Sequence, residues 1–268
     1  MTFKIVAILI SIATIAAPTT DSSTPPPGDT YAVIVCGIGK DTEDRLARDQ
    51  VARDFCAYLL ERASVKPNQV TVLVPDADAV GAATGDRIAE IIRVYASTMT
   101  PADRFVFYYA GQANAIGDSL RFNLPGPDIT QADLAKWFAG LKAQTQLVLL
   151  DCPYAAVAAK AFARPGRVVV LASSEQQAYG TRFGQHFVPA LARAESDTDH
   201  DGCVSVLEAF TAAAREIEKW YQDRQLLPTE TPSIEDNGDG RPSERPWRYE
   251  QDGGDGRLAG QLVLMPRG

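Results

Sequence analysis

The amino-acid sequence predicts an α/β fold in which a mostly parallel sheet carries helices on both faces. Short apolar runs rich in Val, Ile, Leu and Phe recur between turn residues, as buried parallel strands do, and the segments between them have helical spacing. Repeated strand–helix units of this kind place ligand sites beyond the carboxyl ends of the strands. The composition of the 268 residues, 46% hydrophobic and 22% charged, excludes collagen-like, low-complexity and largely disordered chains.

The predicted strands and helices alternate along the middle of the chain. The predicted strands cover 31–35, 70–74, 105–109, 147–150 and 168–171. Between them, apolar residues three or four positions apart predict one helix around 51–59 and another around 88–95. A third helix follows Thr130, which is a good N-cap because Asp133 lies three residues later.

The N-terminus carries a predicted export signal. Lys4 precedes an apolar run over 5–17 that ends in small residues, as secretory signal peptides do, and the run is shorter than the roughly 20 residues that a membrane span needs. Residues 1–17 are therefore expected to be a signal peptide, and 18–29, rich in Pro, Ser and Thr, a linker. The expected location is secreted or periplasmic, with a membrane contact only if the signal is retained as an anchor.

The negative charge of the chain is concentrated in one segment. The chain has 34 acids, 26 bases and a formal net charge of -8, which argues against a nucleic-acid partner. Between Glu195 and Asp255, however, 16 acids stand against 6 bases. The acidity therefore belongs to this segment, which also contains the most specific motif of the sequence.

Residues 197–208 match the 12-residue EF-hand pattern at every defining position. Aspartates occupy positions one, three and five, the glycine at position six permits a sharp turn, and the glutamate at position twelve can bind bidentately. The predicted Ca²⁺ ligands are the side chains of Asp197, Asp199, Asp201 and Glu208, the carbonyl of Cys203, and Ser205 directly or through water. An entering helix is expected over 184–195 and a leaving helix over 207–221. The alternative interpretation is a solvated acidic turn.

A second acidic cluster at 235–240 resembles the first half of such a loop. Counted from Glu235, however, position twelve is Pro246, which cannot chelate through a side chain. A turn, an ancillary oxygen donor and a divergent second site all remain open for this cluster. After it, a loop is expected up to Gly256, and 261–265 is a candidate edge strand.

The ends of two predicted strands resemble those of a known family. Residues 108–113 read YYAGQA, 122–128 read FNLPGPD and 149–156 read LLDCPYAA. These stretches resemble the caspase and legumain class of cysteine peptidases, especially exported bacterial legumain-like members, in which the third strand ends Tyr-x-Gly-His-Gly and the fourth ends near Asp-Ala-Cys-Tyr-Ser-Gly. The resemblance spans roughly 31–240. It implies a caspase/legumain-like three-layer sandwich over 30–194, followed by the EF-hand-type loop and helix over 195–222 and an acidic Gly/Pro-rich tail over 223–268.

The catalytic positions of that family are substituted in this chain. Gln112 stands where the family has its histidine, and an amide cannot act as a general base. Pro153 stands at the position of the cysteine, where it supplies neither a nucleophile nor a backbone N–H for an oxyanion hole. Ala113 and Ala155-Ala156 replace further family residues. The sequence therefore predicts an inactive pseudo-peptidase that acts as a structural module or binds a peptide or protein.

Two alternatives remain beside this hypothesis. Cys152, one residue before the family position, is a candidate shifted nucleophile with a nonstandard base such as His186, although a free cysteine at a strand end is also a common apolar core residue. A flavodoxin-like ligand binder is the other alternative. The cysteines at 36, 56, 152 and 203 would permit disulfides in an exported chain, and the sequence leaves their pairing open.

Overall fold

A six-stranded sheet forms the centre of the protein. The structure is a computed structural model that describes residues 28–77, 81–249 and 254–265. In spatial order, the strands are β2 (Val70–Leu73), β1 (Thr30–Cys36), β3 (Arg104–Ala110), β7 (Thr145–Asp151), β8 (Arg167–Leu171) and β9 (Ser233–Glu235). The first five are parallel, and β9 runs antiparallel to β8. All five predicted strands are confirmed, each within two residues of its expected bounds.

Helices cover both faces of this sheet. One face carries α1 (Thr42–Glu61), α5 (Phe183–Ala192), α6 (Val206–Asp223) and α7 (Arg257–Gln261), and the other carries α2 (Gly85–Thr98), α3 (Gln131–Phe138) and α4 (Ala159–Phe162). Alternate residues of β1 explain the two layers, since Ala32 and Ile34 join the first core and Val33 and Val35 the second. The predicted α/β architecture with a mostly parallel sheet is therefore confirmed.

Local sequence signals account for the start of α3. The side chain of Thr130 accepts the N–H of Asp133, and the Asp133 carboxylate accepts the N–H of Thr130 in return. This reciprocal pair satisfies two donors that a helix start leaves free. The N-cap predicted from the sequence is confirmed.

The C-terminal edge strand predicted at 261–265 is wrong. Residues 257–261 form α7, and Val263 makes only an isolated bridge to Ser205. Asp236 holds this helix in place, because its carboxylate accepts the N–H groups of Gly256 and Ala259 at 2.9 and 2.7 Å. The edge strand beside β8 is instead β9, a three-residue strand inside the acidic tail.

One other stretch differs from its expectation, and a small second sheet was not predicted. The entering helix of the acidic loop ends at Ala192 rather than at residue 195, and a short 3-10 turn over Ala194–Ser196 follows it. Residues between β3 and α3 form a small antiparallel sheet of β4 (Ala113–Ile116), β5 (Ser119–Phe122) and β6 (Ile129–Thr130).

The signal peptide predicted at 1–17 and most of the linker lie outside the described residues. Within the described part of the chain, no helix has both the length and the apolar character to cross a bilayer.

Candidate functional site

The carboxyl ends of β1, β3 and β7 lie side by side at one edge of the sheet. Cys36 is in register with Ala110, and Ala110 with Asp151. Gln112 and Pro153 follow these strand ends closely in the sequence, so the structure brings both residues to the same edge. This is the edge at which an open α/β sheet binds its ligands.

Asp151 anchors the start of α5 at this edge. Its carboxylate accepts hydrogen bonds from the hydroxyls of Tyr108 and Thr181 and from the N–H of Gly184, with 2.9 Å to Tyr108 and 3.0 Å to Gly184. A Cβ on Gly184 would lie 2.2 Å from the Tyr108 hydroxyl oxygen. Glycine therefore permits the close approach of α5 to the strand ends, and Asp151 has a structural role.

Internal hydrogen bonds hold the turn after β7. The hydroxyl of the fully buried Ser173 donates to the carbonyl of Cys152 at 2.8 Å and accepts the N–H of Ala155 at 3.0 Å. The N–H of Tyr154 donates to Gln177, and the N–H of Ala156 to the carbonyl of Ser173. The amides that follow Pro153 are thus engaged within the protein, and an oxyanion hole needs free donors.

Cys152 and His186 are not brought together. Cys152 is fully buried in the core on the α2–α4 side of the sheet, whereas α5, which carries His186, packs on the other side. Burial, together with the negative charge of Asp151, raises the pKa of the Cys152 thiol well above its usual range. The Nδ1 of His186 lies 2.8 Å from a carboxylate oxygen of Glu216. Reaction at Cys152 would need a thiolate, which this environment disfavours.

Gln112 lies beside a polar network of α1. Its side chain is near the carboxylate of Asp44, which accepts the Nε of Arg48 at 3.0 Å. Although burial alone would raise the pKa of Asp44, the hydrogen bond and positive charge of Arg48 hold it below its usual range. The Nη1 of Arg48 donates to the backbone carbonyl of Asp151 at 3.1 Å. Arg48 thus connects α1 to the end of β7, close to Gln112.

The acidic loop over 197–208 has its turns set by aspartate side chains. Asp197 accepts the N–H of Gly202 at 3.0 Å, and Asp199 accepts the N–H of Asp201 at 3.0 Å. In the same way, Asp201 accepts the N–H of Cys203 at 2.8 Å. Gly202 has a φ of +87°, a conformation that favours glycine. These bonds fold the backbone around the carboxylates that the sequence predicts as ligands.

Three of the predicted ligands converge. Asp197, Asp199 and Glu208 each offer one oxygen, and the three oxygens lie within 4.8 Å of one another. The Oδ1 of Asp197 is buried and has no hydrogen-bond partner among the described residues. A buried carboxylate oxygen without a partner is costly, and carboxylate oxygens are the donors that Ca²⁺ prefers. The residues present therefore fit a hard divalent cation.

Hydrogen bonds connect Glu208 to both ends of the loop. Glu208 accepts the N–H of Thr198 at 2.7 Å and that of Ser205 at 2.9 Å. Although burial opposes it, these bonds hold the pKa of Glu208 below its usual value. The hydroxyl of Ser205 in turn caps α6 by accepting the N–H of Glu208. Asp201 and Cys203 belong to the loop turns, and the converging carboxylate oxygens come from Asp197, Asp199 and Glu208 and not from Asp201.

Sequence reasoning missed Glu230, which borders a cleft of about 350 Å³ lined also by Tyr221 and Trp247. The side chain is 2% exposed, and one carboxylate oxygen accepts the N–H of Arg182 at 2.7 Å. Burial raises the pKa of Glu230 to about 7. An acid inside an irregular tail segment has no periodic signal that would reveal its burial.

Comparisons with known proteins show the fold alone. No protein-family model matches the chain, and no curated protein is similar to it in sequence. Protein GSU0716 from Geobacter sulfurreducens has a similar structure, with a TM-score of 0.51 and 14% identity over 77% of this chain and 92% of that one. Caspase-1 from Spodoptera frugiperda has a TM-score of 0.49 and 12% identity over 83% of this chain and 94% of that one. The similarity to caspase-1 concerns the overall fold only.

Proposed function

We propose that this protein is an exported calcium-binding protein built on a caspase/legumain-like scaffold, and that it acts as a binding or structural module without peptidase activity. Asp197, Asp199 and Glu208 hold the ion, and its positive charge offsets the repulsion between carboxylates within 4.8 Å of one another. The observation that carries the calcium assignment is the buried, unpartnered Oδ1 of Asp197. A bound cation would give this oxygen the partner that it lacks.

Calcium is expected to raise the thermal stability of the full chain. An ion that binds only the folded state stabilises it in proportion to the logarithm of its concentration, so a site with a Kd of roughly 0.1 to 1 mM adds about 1 to 3 kcal/mol at 10 mM Ca²⁺. Glu208→Gln removes one charged ligand and should abolish most of the gain that this site contributes. The measurement is the unfolding midpoint as a function of Ca²⁺ concentration.

The matched control for this titration is Glu218→Gln, which neutralises an exposed glutamate of the same helix α6. This variant should keep the full calcium response. Because Glu208 also takes part in the cap of α6, the quantity compared is the shift caused by Ca²⁺ and not the starting midpoint. A wild-type midpoint that stays constant up to 10 mM Ca²⁺ would rule out the assignment.

The proposal of a non-catalytic module rests on the strand ends at the carboxyl edge. By the resemblance, the family's base position holds Gln112 and its nucleophile position holds Pro153. The amides after Pro153 are engaged in internal hydrogen bonds. Cys152, the other candidate nucleophile, is fully buried and lies across the sheet from His186. A peptide or protein is the ligand class that the family resemblance implies for this edge.

Cys152 is expected to resist thiol reagents in the folded protein. Its sulfur is reached only through local or global unfolding, so its labelling should be at least on the order of a thousandfold slower than that of the half-buried Cys203. Timed alkylation followed by peptide mapping measures both rates, and denaturant should equalise them. Labelling of Cys152 as fast as Cys203, or peptide cleavage that Cys152→Ser abolishes, would instead favour an active cysteine peptidase.

A further inference from the structure

The acidic tail contains a loop that repeats the hydrogen bonds of the first acidic loop. In the tail, the Oε1 of Glu235 accepts the N–H of Gly240, five residues later, at 3.3 Å. In the first loop, Asp197 accepts the N–H of Gly202 at the same spacing. In both loops, the side chain at position one therefore accepts the backbone N–H of position six.

The next positions repeat as well. Asn237 accepts the N–H of Asp239 at 2.8 Å, and Asp239 accepts the N–H of Arg241 at 2.7 Å. These bonds correspond to those that positions three and five make in the first loop. Positive φ angles also recur at positions four and six, where Gly238 and Gly240 have values of +87° and +75°. The backbone of 235–241 therefore has the same course as the first half of the loop over 197–208.

An independent observation indicates that this loop holds a ligand. Glu235 is fully buried, and its Oε2 has no hydrogen-bond partner among the described residues. The Oε1 of the same carboxylate bonds to the loop amides of Gly238 and Gly240, so the unpartnered oxygen belongs to the loop. A buried carboxylate oxygen without a partner is costly, and a cation would satisfy it.

The surroundings of Glu235 are negatively charged. The carboxylate of Asp255 lies at this loop, because it accepts the N–H groups of Asp236 and Asn237 at 2.8 and 3.1 Å. The charge of Arg167 acts on Glu235 from a distance, since no ion pair within 4.0 Å joins the two among the described residues. The Arg167 guanidinium instead donates to Gln146 and to the carbonyl of Phe162. Among the described residues, this buried carboxylate therefore has no direct ion pair.

We propose that Glu235, Asn237 and Asp239 bind a second divalent cation, of the class of Ca²⁺. The backbone carbonyl of Arg241 occupies the place that Cys203 has in the first loop, and the amide oxygen of Asn237 can accept a hydrogen bond and bind an ion through its two lone pairs. No glutamate stands at position twelve, so water completes the coordination shell. Ca²⁺ suits such a site because it accepts six to eight oxygen ligands in flexible geometry.

Ion counting on the full chain tests this site separately from the first. Equilibrium dialysis against Ca²⁺ should give two ions per chain for the wild type and one for Glu208→Gln. Glu235→Gln should weaken the second site at least tenfold and leave the first site occupied. Because Glu235 is buried, Asp239→Ala at an exposed position provides a second variant with the same expected loss. Asp118→Ala, at the exposed turn between β4 and β5, should keep both ions.

The outcomes separate the two sites. A wild type that binds one ion and loses it in Glu208→Gln would overturn the second site and leave the first intact. A single ion that survives Glu208→Gln but is lost in Asp239→Ala would support the second site and contradict the first. Two ions that persist in both tail variants would overturn the second site.

Discussion

Asp151→Ala is expected to lower the free energy of unfolding by about 3 to 5 kcal/mol, because three buried donors lose their common acceptor. The hydroxyls of Tyr108 and Thr181 and the N–H of Gly184 all bond to this carboxylate. These donors lie on β3, before α5 and at the start of α5, so the loss loosens the edge where the strand ends meet. Denaturant unfolding of the wild type and the variant measures the difference.

The single-donor variant Tyr108→Phe provides the control for Asp151. It removes one hydroxyl and leaves the carboxylate with two donors, so its cost should be about 1 kcal/mol. Asp151→Asn keeps one acceptor oxygen and should fall between the two. If Asp151→Ala cost no more than Tyr108→Phe, the carboxylate would not be the anchor of α5.

The stability of the protein is expected to fall as the pH rises through the titration of Glu230. Burial raises the pKa of this carboxyl from 4.5 to about 7 in the folded state. The folded state therefore binds the proton more tightly than the unfolded state, so the stabilisation is complete below pH 4.5 and is lost as the pH rises through 7. The contribution amounts to about 3 kcal/mol.

Glu230→Gln should remove this part of the pH dependence. The variant keeps an oxygen that can accept the N–H of Arg182, but it has no proton to release between pH 4.5 and 7. Burial also raises the pKa values of Glu235 and Asp255. The quantity to compare between wild type and variant is therefore the change of the free energy of unfolding with pH, measured in the absence of Ca²⁺. The free energy of unfolding is measured in urea at pH 5 and pH 8. If it changed by the same amount between these pH values in the wild type and in Glu230→Gln, the role of Glu230 would be contradicted.

The strands and longer helices could be predicted because their signals are local and repeated. Buried strands such as β8, over Arg167–Leu171, read as continuous apolar runs, and α2 presents apolar residues at helical spacing. The edge strand β9 could not be predicted, because it has three residues and one of them is a buried glutamate. Its place in the sheet depends on pairing with β8, more than 60 residues earlier in the chain.

The misplaced edge strand has a similar explanation. Residues 261–265 have the apolar character of a strand, but Asp236 caps a helix over Arg257–Gln261 from a loop about 20 residues away. No local pattern reveals such a contact. The burial of Glu230 could not be predicted for the same reason, because its partner Arg182 lies 48 residues earlier.

The sequence by itself determined the α/β architecture, the residues Gln112 and Pro153 after two strand ends, and the EF-hand-like pattern over 197–208, because each of these is a property of neighbouring residues. Only the tertiary structure decided that Cys152 and His186 lie on opposite sides of the sheet. It also decided that Glu235 is buried with an oxygen left unpaired. The physical reason is that side-chain periodicity within an element is encoded locally, whereas burial and partnership depend on which distant elements pack together.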